Sequence, residues 1–239
     1  MKTTSTDESW LAGARGRALV EAERQHVDGA VSRLFGRSLL QIGSWAPGLL
    51  SGGRHWRTGV LGPAGDVDVI CDLGALPLAP RCVDAILLAH SLESAASAHR
   101  LLREVDKALS QRGQLLILGF NPLSWWGLRQ RLWPQRPALP PQRRFLSRGR
   151  LHDWLRLLDY EVISIERFWL PGPARLKWLQ SLLGIFAPVY LIHARKRRLP
   201  VNPIGRPIWR RAEADIRTAR VPTTRLGART PWRNDSGAA

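Results

Sequence analysis

Apolar side chains recur at helical spacing along residues 17–35, where Leu19, Val20, Val27, Val31, Leu34 and Phe35 fall toward one side and charged residues toward the other. The pattern predicts an amphipathic helix that Gly36 can terminate. Residues 38–42 (Ser-Leu-Leu-Gln-Ile) then form a short apolar run ending at Gly43, the signature of a buried strand that delivers the chain into a loop. Residues 55–61 and 67–71 are second and third strand candidates, ended by Gly62-Pro63 and by Asp72. Only residues 62–66 separate them, too few for a crossover helix. The continuous apolar run at residues 83–89 predicts a central parallel strand. A helix follows over residues 94–109, with Ser94 as its cap and Leu101, Leu102, Val105 and Leu109 on one face. Gln111-Arg-Gly113 breaks it before a fifth strand at residues 114–120.

Beyond residue 120 the texture changes. Residues 121–144 are rich in Trp, Arg and Pro and read as an ordered loop or lid with short helical pieces. A helix resumes at residues 147–158, capped by Ser147, with Leu151, Trp154, Leu155 and Leu158 on its buried side. Strands are predicted at 160–169 and 187–194. Residues 199–239 carry no sustained period and are expected to be mobile. The predicted organisation is a helical extension over residues 1–36, one α/β domain over 37–197 with the lid at 121–146, and a basic tail over 198–239. Alternating strands and helices imply a mostly parallel sheet wrapped by helices, with ligands at the carboxyl ends of its strands.

Charge adds a second layer. The chain of 239 residues carries 36 basic and 19 acidic residues, a net of +17, and the excess is localised. From Arg195 to the end, twelve basic residues face Glu213, Asp215 and Asp235; residues 121–158 hold eight arginines against Asp153. Such regions attract phosphate-bearing partners or anionic lipid, so RNA or an anionic membrane is an expected partner. The competing explanation is composition alone, since 32 of the basic residues are Arg in a chain rich in Ala, Gly and Pro, as a GC-rich genome would impose. Trp125, Trp126 and Trp133, interleaved with Arg129, Arg131 and Arg136, form a substrate lid, an aromatic-basic surface, or a loop packed onto the core. Cys71 and Cys82 make neither a disulfide framework nor a metal site, and no metal is expected. Residues 1–9 lack an export pattern, and the apolar stretch at 178–192 falls short of the roughly 20 residues of a spanning helix. A cytoplasmic protein is expected.

Four loops in order carry the candidate chemistry. They read Gln41-Ile-Gly43-Ser-Trp-Ala-Pro-Gly48, Asp72-Leu73-Gly-Ala-Leu-Pro-Leu-Ala79, Val83-Asp-Ala-Ile-Leu-Leu-Ala-His90-Ser-Leu-Glu93, and Leu109-Ser-Gln-Arg-Gly-Gln-Leu-Leu-Ile117. This series resembles the type 11 branch of class I S-adenosylmethionine-dependent methyltransferases. That branch has an acidic Gly-x-Gly-x-Gly loop, an Asp followed by Leu-Pro, a strand ending near His with a Leu-Glu pair, and a Leu-x-Pro-Gly-Gly turn. The likeness spans residues 39–120 and is nearest to a proteobacterial group sharing Asn121-Pro-x-Ser-x-Trp. It implies a Rossmann-like class I methyltransferase sheet with an antiparallel last strand, S-adenosylmethionine as cofactor, and methyl transfer to an acceptor the sequence does not name. It also implies roles: Gln41, Gly43 and Gly48 shaping the cofactor loop, Asp72 accepting from the adenine amino group with Leu73 beside it, and His90 facing the reacting centre as catalytic base.

The same comparison exposes departures. Gln41 stands where the family has an acid, Trp45 and Pro47 where it has glycines, and strand two ends in Gly62-Pro63 with no acid for the ribose hydroxyls. A lost charge-assisted pair of that kind is worth about 1.5–3 kcal/mol. The enzyme reading therefore requires that the turn after strand one and Asp72 share one nucleoside-sized pocket that the Trp45 indole leaves open. A basic binding module on a degenerate fold is the alternative.

Overall fold

The computed structural model describes residues 9–46, 48–50, 56–132, 145–169 and 186–197. An N-terminal helix, α1 (Ala14–Val31), leads into β1 (Ser38–Ile42), β2 (Arg57–Gly62) and the two-residue β3 (Val69–Ile70). Then follow β4 (Val83–Ala89), the single turn α2 (Ser91–Ser94), α3 (Ala98–Ala108) and β5 (Leu109–Phe120). The chain closes with α4 (Trp125–Leu132), α5 (Arg148–Leu157), β6 (Tyr160–Phe168) and β7 (Val189–Lys196). The seven strands make one sheet in the order β3-β2-β1-β4-β5-β7-β6. All neighbouring pairs from β3 to β5 are parallel, and β7 runs antiparallel to both β5 and β6. This is the α/β sheet with an antiparallel last strand that the resemblance implied.

Alternation along β4 sets the layers, because successive strand side chains point to opposite faces. Ala85, Leu87 and Ala89 join Leu19, Val27 and Val31 of α1 in one apolar cluster. Ile86 and Leu88 join Leu101, Leu102 and Val105 of α3 and Leu151 and Leu155 of α5 in the other. β4, buried on both faces, reads as a continuous apolar run for that reason.

Several boundaries differ from the sequence reading. The first helix stops at Val31, so Leu34 turns into the core while Phe35 is 88% exposed. Ser94 does not cap the helix after β4. Its hydroxyl donates back to the carbonyls of His90 and Ser91, closing α2, and Ser97 caps α3 by accepting from the Arg100 amide. Residues 111–113 are no break before a strand. β5 begins at Leu109, which is fully buried opposite Val83, and residues 110–113 bulge before pairing resumes at Ala85 and Gln114. β3 is shorter than expected, and its two side chains are exposed at the sheet edge. The link from β2 to β3 holds no helix; Asp68 braces it by accepting from the Val60 amide while its own amide donates to the Val60 carbonyl.

The expected tail at residues 198–239 and the middle of the lid, residues 133–144, lie outside the described residues. Of the lid's tryptophans, Trp126 packs on the α1-side cluster and meets Trp10 edge-on at 6.4 Å. No helix among the described residues is long and apolar enough to cross a membrane.

Candidate functional site

Parallel strands point their carboxyl ends to one rim, and the loops after β1, β3 and β4 gather there. At β1, Gln41 is buried and its Nε2 donates to the carbonyls of Gly43 and Trp45, at 3.2 and 2.8 Å. The carboxamide thus ties its own loop together. Gly43 has φ +106°, and a Cβ there would stand 2.9 Å from the Ala89 carbonyl oxygen and 3.0 Å from the Ser91 Cβ. Only glycine allows this loop to lie so close to the end of β4. Gly48 takes φ +76° with Arg24 Nη2 3.7 Å from its would-be Cβ.

At β4, His90 is fully buried in a left-handed conformation, φ 50°. Its Nε2 lies 3.0 Å from Glu23 Oε1 on α1, and its Nδ1 lies 3.2 Å from Glu93 Oε2. Both carboxylates are buried as well. Burial alone would lower the imidazole pKa, but the charges and hydrogen bonds of Glu23 and Glu93 outweigh it, and the net shift is upward. His90 is thus held between the Glu23 and Glu93 side chains, which favour its protonated form. The Phe120 amide donates to Glu93 Oε1, and the Trp45 indole Nε1 donates to Glu23 Oε2 at 2.8 Å. Trp45 is buried, with its ring centroid 4.6 Å from that of His90 and 5.7 Å from that of Phe120.

The other predicted residues lie apart from this knot. Asp72 is exposed and accepts from the Gly74 amide at 2.9 Å. Leu73 is buried beside it in the α3-side cluster. Together they line a cleft of about 230 Å³ with Pro63, Gly74, residues 94–97 and Arg100. Gln41, Gly43, Gly48 and His90 are not among its lining residues. The structure therefore separates the predicted site into a cleft at Asp72–Leu73 and a filled rim at Gly43–His90. Sequence reasoning missed Glu23, which lies 67 residues before its histidine partner on what reads as an ordinary amphipathic helix. A signal was present, since Glu23 falls four residues after Leu19 and four before Val27, on the apolar face of α1.

These positions test the fit of S-adenosylmethionine. The cleft suits a nucleobase, with Asp72 at its edge. Its volume is below the roughly 300–1,000 Å³ usual for small-molecule sites. At the methionine end, Gln41 Oε1 and Ser91 Oγ are buried without a hydrogen-bond partner, as polar atoms awaiting a ligand would be. The space against His90, however, is taken by the Trp45 indole. The acid in the cleft is Asp72; Asp68 is committed to the Val60 amide, and Pro63, which follows strand two where the resemblance expects a ribose-binding acid, lines the cleft instead. The residues present fit the adenine half of the cofactor and do not fit its methionine half. Among the described residues no group of His, Cys, Asp and Glu side chains is placed to hold a metal ion.

No protein-family model matches the chain. Solved structures do resemble it. The Haloferax volcanii protein bound to the Trm112 methyltransferase activator aligns with TM-score 0.60 at 14% identity, covering 80% of this chain and 98% of that one. A Thermotoga maritima S-adenosylmethionine-dependent methyltransferase gives 0.58 at 16%, covering 74% and 89%. One from Archaeoglobus fulgidus gives 0.55 at 16%, covering 74% and 94%. The fold is that of class I methyltransferases. In sequence, a protein of Escherichia coli (strain K12) is 38% identical over 166 residues, 65% of this chain and 68% of the relative. On that identity and coverage the chain belongs to the family of this relative, YafS, which is itself uncharacterised.

Proposed function

We propose that this chain is an S-adenosylmethionine-dependent methyltransferase of the type 11 branch, acting on an acceptor still to be found. The observation that supports it is the position of Asp72 and Leu73. They close the third strand beside a cleft at the carboxyl rim, where an adenine amino group could donate to the free edge of that turn. Cofactor bound there reaches the Gly43 turn only if the Trp45 indole leaves its place against His90, so binding is expected to be weak. The cofactor would supply the activated methyl group, and Asp72 and Leu73 would hold its base. Calorimetric titration with S-adenosylhomocysteine tests the reading. Heat that appears only at high micromolar ligand is expected, and silence there from folded protein removes the enzyme.

A second reading is favoured by the packing of Trp45, Glu23, His90 and Glu93 where transfer would occur. On it, the fold has lost catalysis and serves as a basic module for RNA or an anionic membrane. It demands binding that weakens with salt.

A further inference from the structure

The cleft at Asp72 does not end at the base compartment. It adjoins a second cleft of about 720 Å³, lined by Gly74, Ala75, Ser97 and the exposed side of α3, and the two share Gly74, Ser97 and Arg100. Arg100, Arg103 and Lys107 stand at i, i+3 and i+7, on one helix face. Lys107 is paired with Glu104 at 2.6 Å. Among the described residues Arg100 and Arg103 have no ion-pair partner, and the Arg100 Nε donates to the Gly74 carbonyl at 2.8 Å, which leaves both Nη groups as donors.

Two features argue against a purely solvated role for Arg100. It stands in the first turn of α3, where the helix dipole favours carboxylates and opposes a guanidinium. It is also held in place over Gly74. A Cβ at that glycine would come within 3.1 Å of Arg100 Nε and 3.3 Å of Asp72 Oδ2, so a side chain at residue 74 would crowd the gap between acid and base. The result is an acceptor for an exocyclic amine at one end and a row of cations at the other.

We propose that these joined clefts bind a nucleoside 5′-phosphate, with the base at Asp72–Leu73 and the phosphates on Arg100 and Arg103. The inference shares the adenine half of the cofactor reading and departs from it in the rest of the ligand. S-adenosylmethionine carries a net positive charge, which the basic row repels; a phosphate is drawn to it. A guanidinium also pairs with phosphate in bidentate fashion.

Titration calorimetry of the full chain with ADP, adenosine and S-adenosylhomocysteine decides it. ADP is expected to bind at least about tenfold more tightly than adenosine, as charge-assisted bonds to phosphate imply. Arg100→Glu should abolish that advantage while leaving the melting temperature in place, because the side chain is exposed. Absence of ADP heat, equal affinity for ADP and adenosine, or an unchanged ADP affinity in Arg100→Glu would each overturn the proposal. S-adenosylhomocysteine binding without ADP binding sinks this inference alone, and ADP binding without S-adenosylhomocysteine binding sinks the cofactor reading alone.

Discussion

His90 concentrates the residue-scale physics. A buried histidine between two buried acidic side chains is tolerable only while all three remain, since removing the imidazole takes from Glu23 and Glu93 the partner they share. His90→Ala is therefore expected to lower stability by roughly 3–5 kcal/mol in urea denaturation. The pH dependence has a definite direction. Because the folded pKa lies above the unfolded value of about 6.5, the stabilisation is complete below that pH and fades as pH rises through the higher folded value. Melting temperatures measured from about pH 5 to about pH 9 should fall on the alkaline side, and His90→Gln should flatten that fall. An unchanged slope in the variant would assign the effect to other groups. The residue also marks a limit of sequence reading. Gln41, Gly43, Asp72 and His90 all stand at strand ends, as the loop order implied. What His90 touches depended on Glu23 and Trp45, whose roles are contacts across the fold that local spacing does not encode.

Elements were more legible than their edges. β4 appears over the predicted residues because a strand buried on both faces announces itself as an unbroken apolar run. The α5 cap at Ser147 was also readable, since the serine directly precedes the periodic segment and accepts from the Arg150 amide. The α3 cap was not. Ser91, Ser94 and Ser97 offer three hydroxyls at helical spacing, and the choice fell to Ser97 because Ser94 is drawn back to the carbonyls of His90 and Ser91. Ser97→Ala should accordingly destabilise by about 1 kcal/mol in thermal or chemical unfolding. If Ser94→Ala proves the more damaging of the two, the assignment of the cap is wrong. The extension of β5 back to Leu109 was hidden by Gln111-Arg-Gly113, a turn-like sequence that the sheet accommodates as a bulge.

For the molecule as a whole, the sheet order is that of the class I methyltransferase fold, while the basic excess is concentrated along the sequence in residues 121–158 and 195–239. Nine arginines against three acids follow Arg197. If the chain acts as a basic module, binding to RNA or to acidic vesicles should fall steeply with salt and vanish when residues 199–239 are deleted. Salt-insensitive binding, or binding that survives the deletion, would dispose of that reading. The knot at the rim has a further, kinetic consequence. One carboxylate, Glu23, engages the indole of the first loop and the imidazole at the end of β4, so the N-terminal helix, that loop and the strand end are latched through a single side chain. Any molecule reaching the far end of the rim must wait for the latch to release. Its observed association rate would then level off with concentration, at the frequency with which α1 lets go.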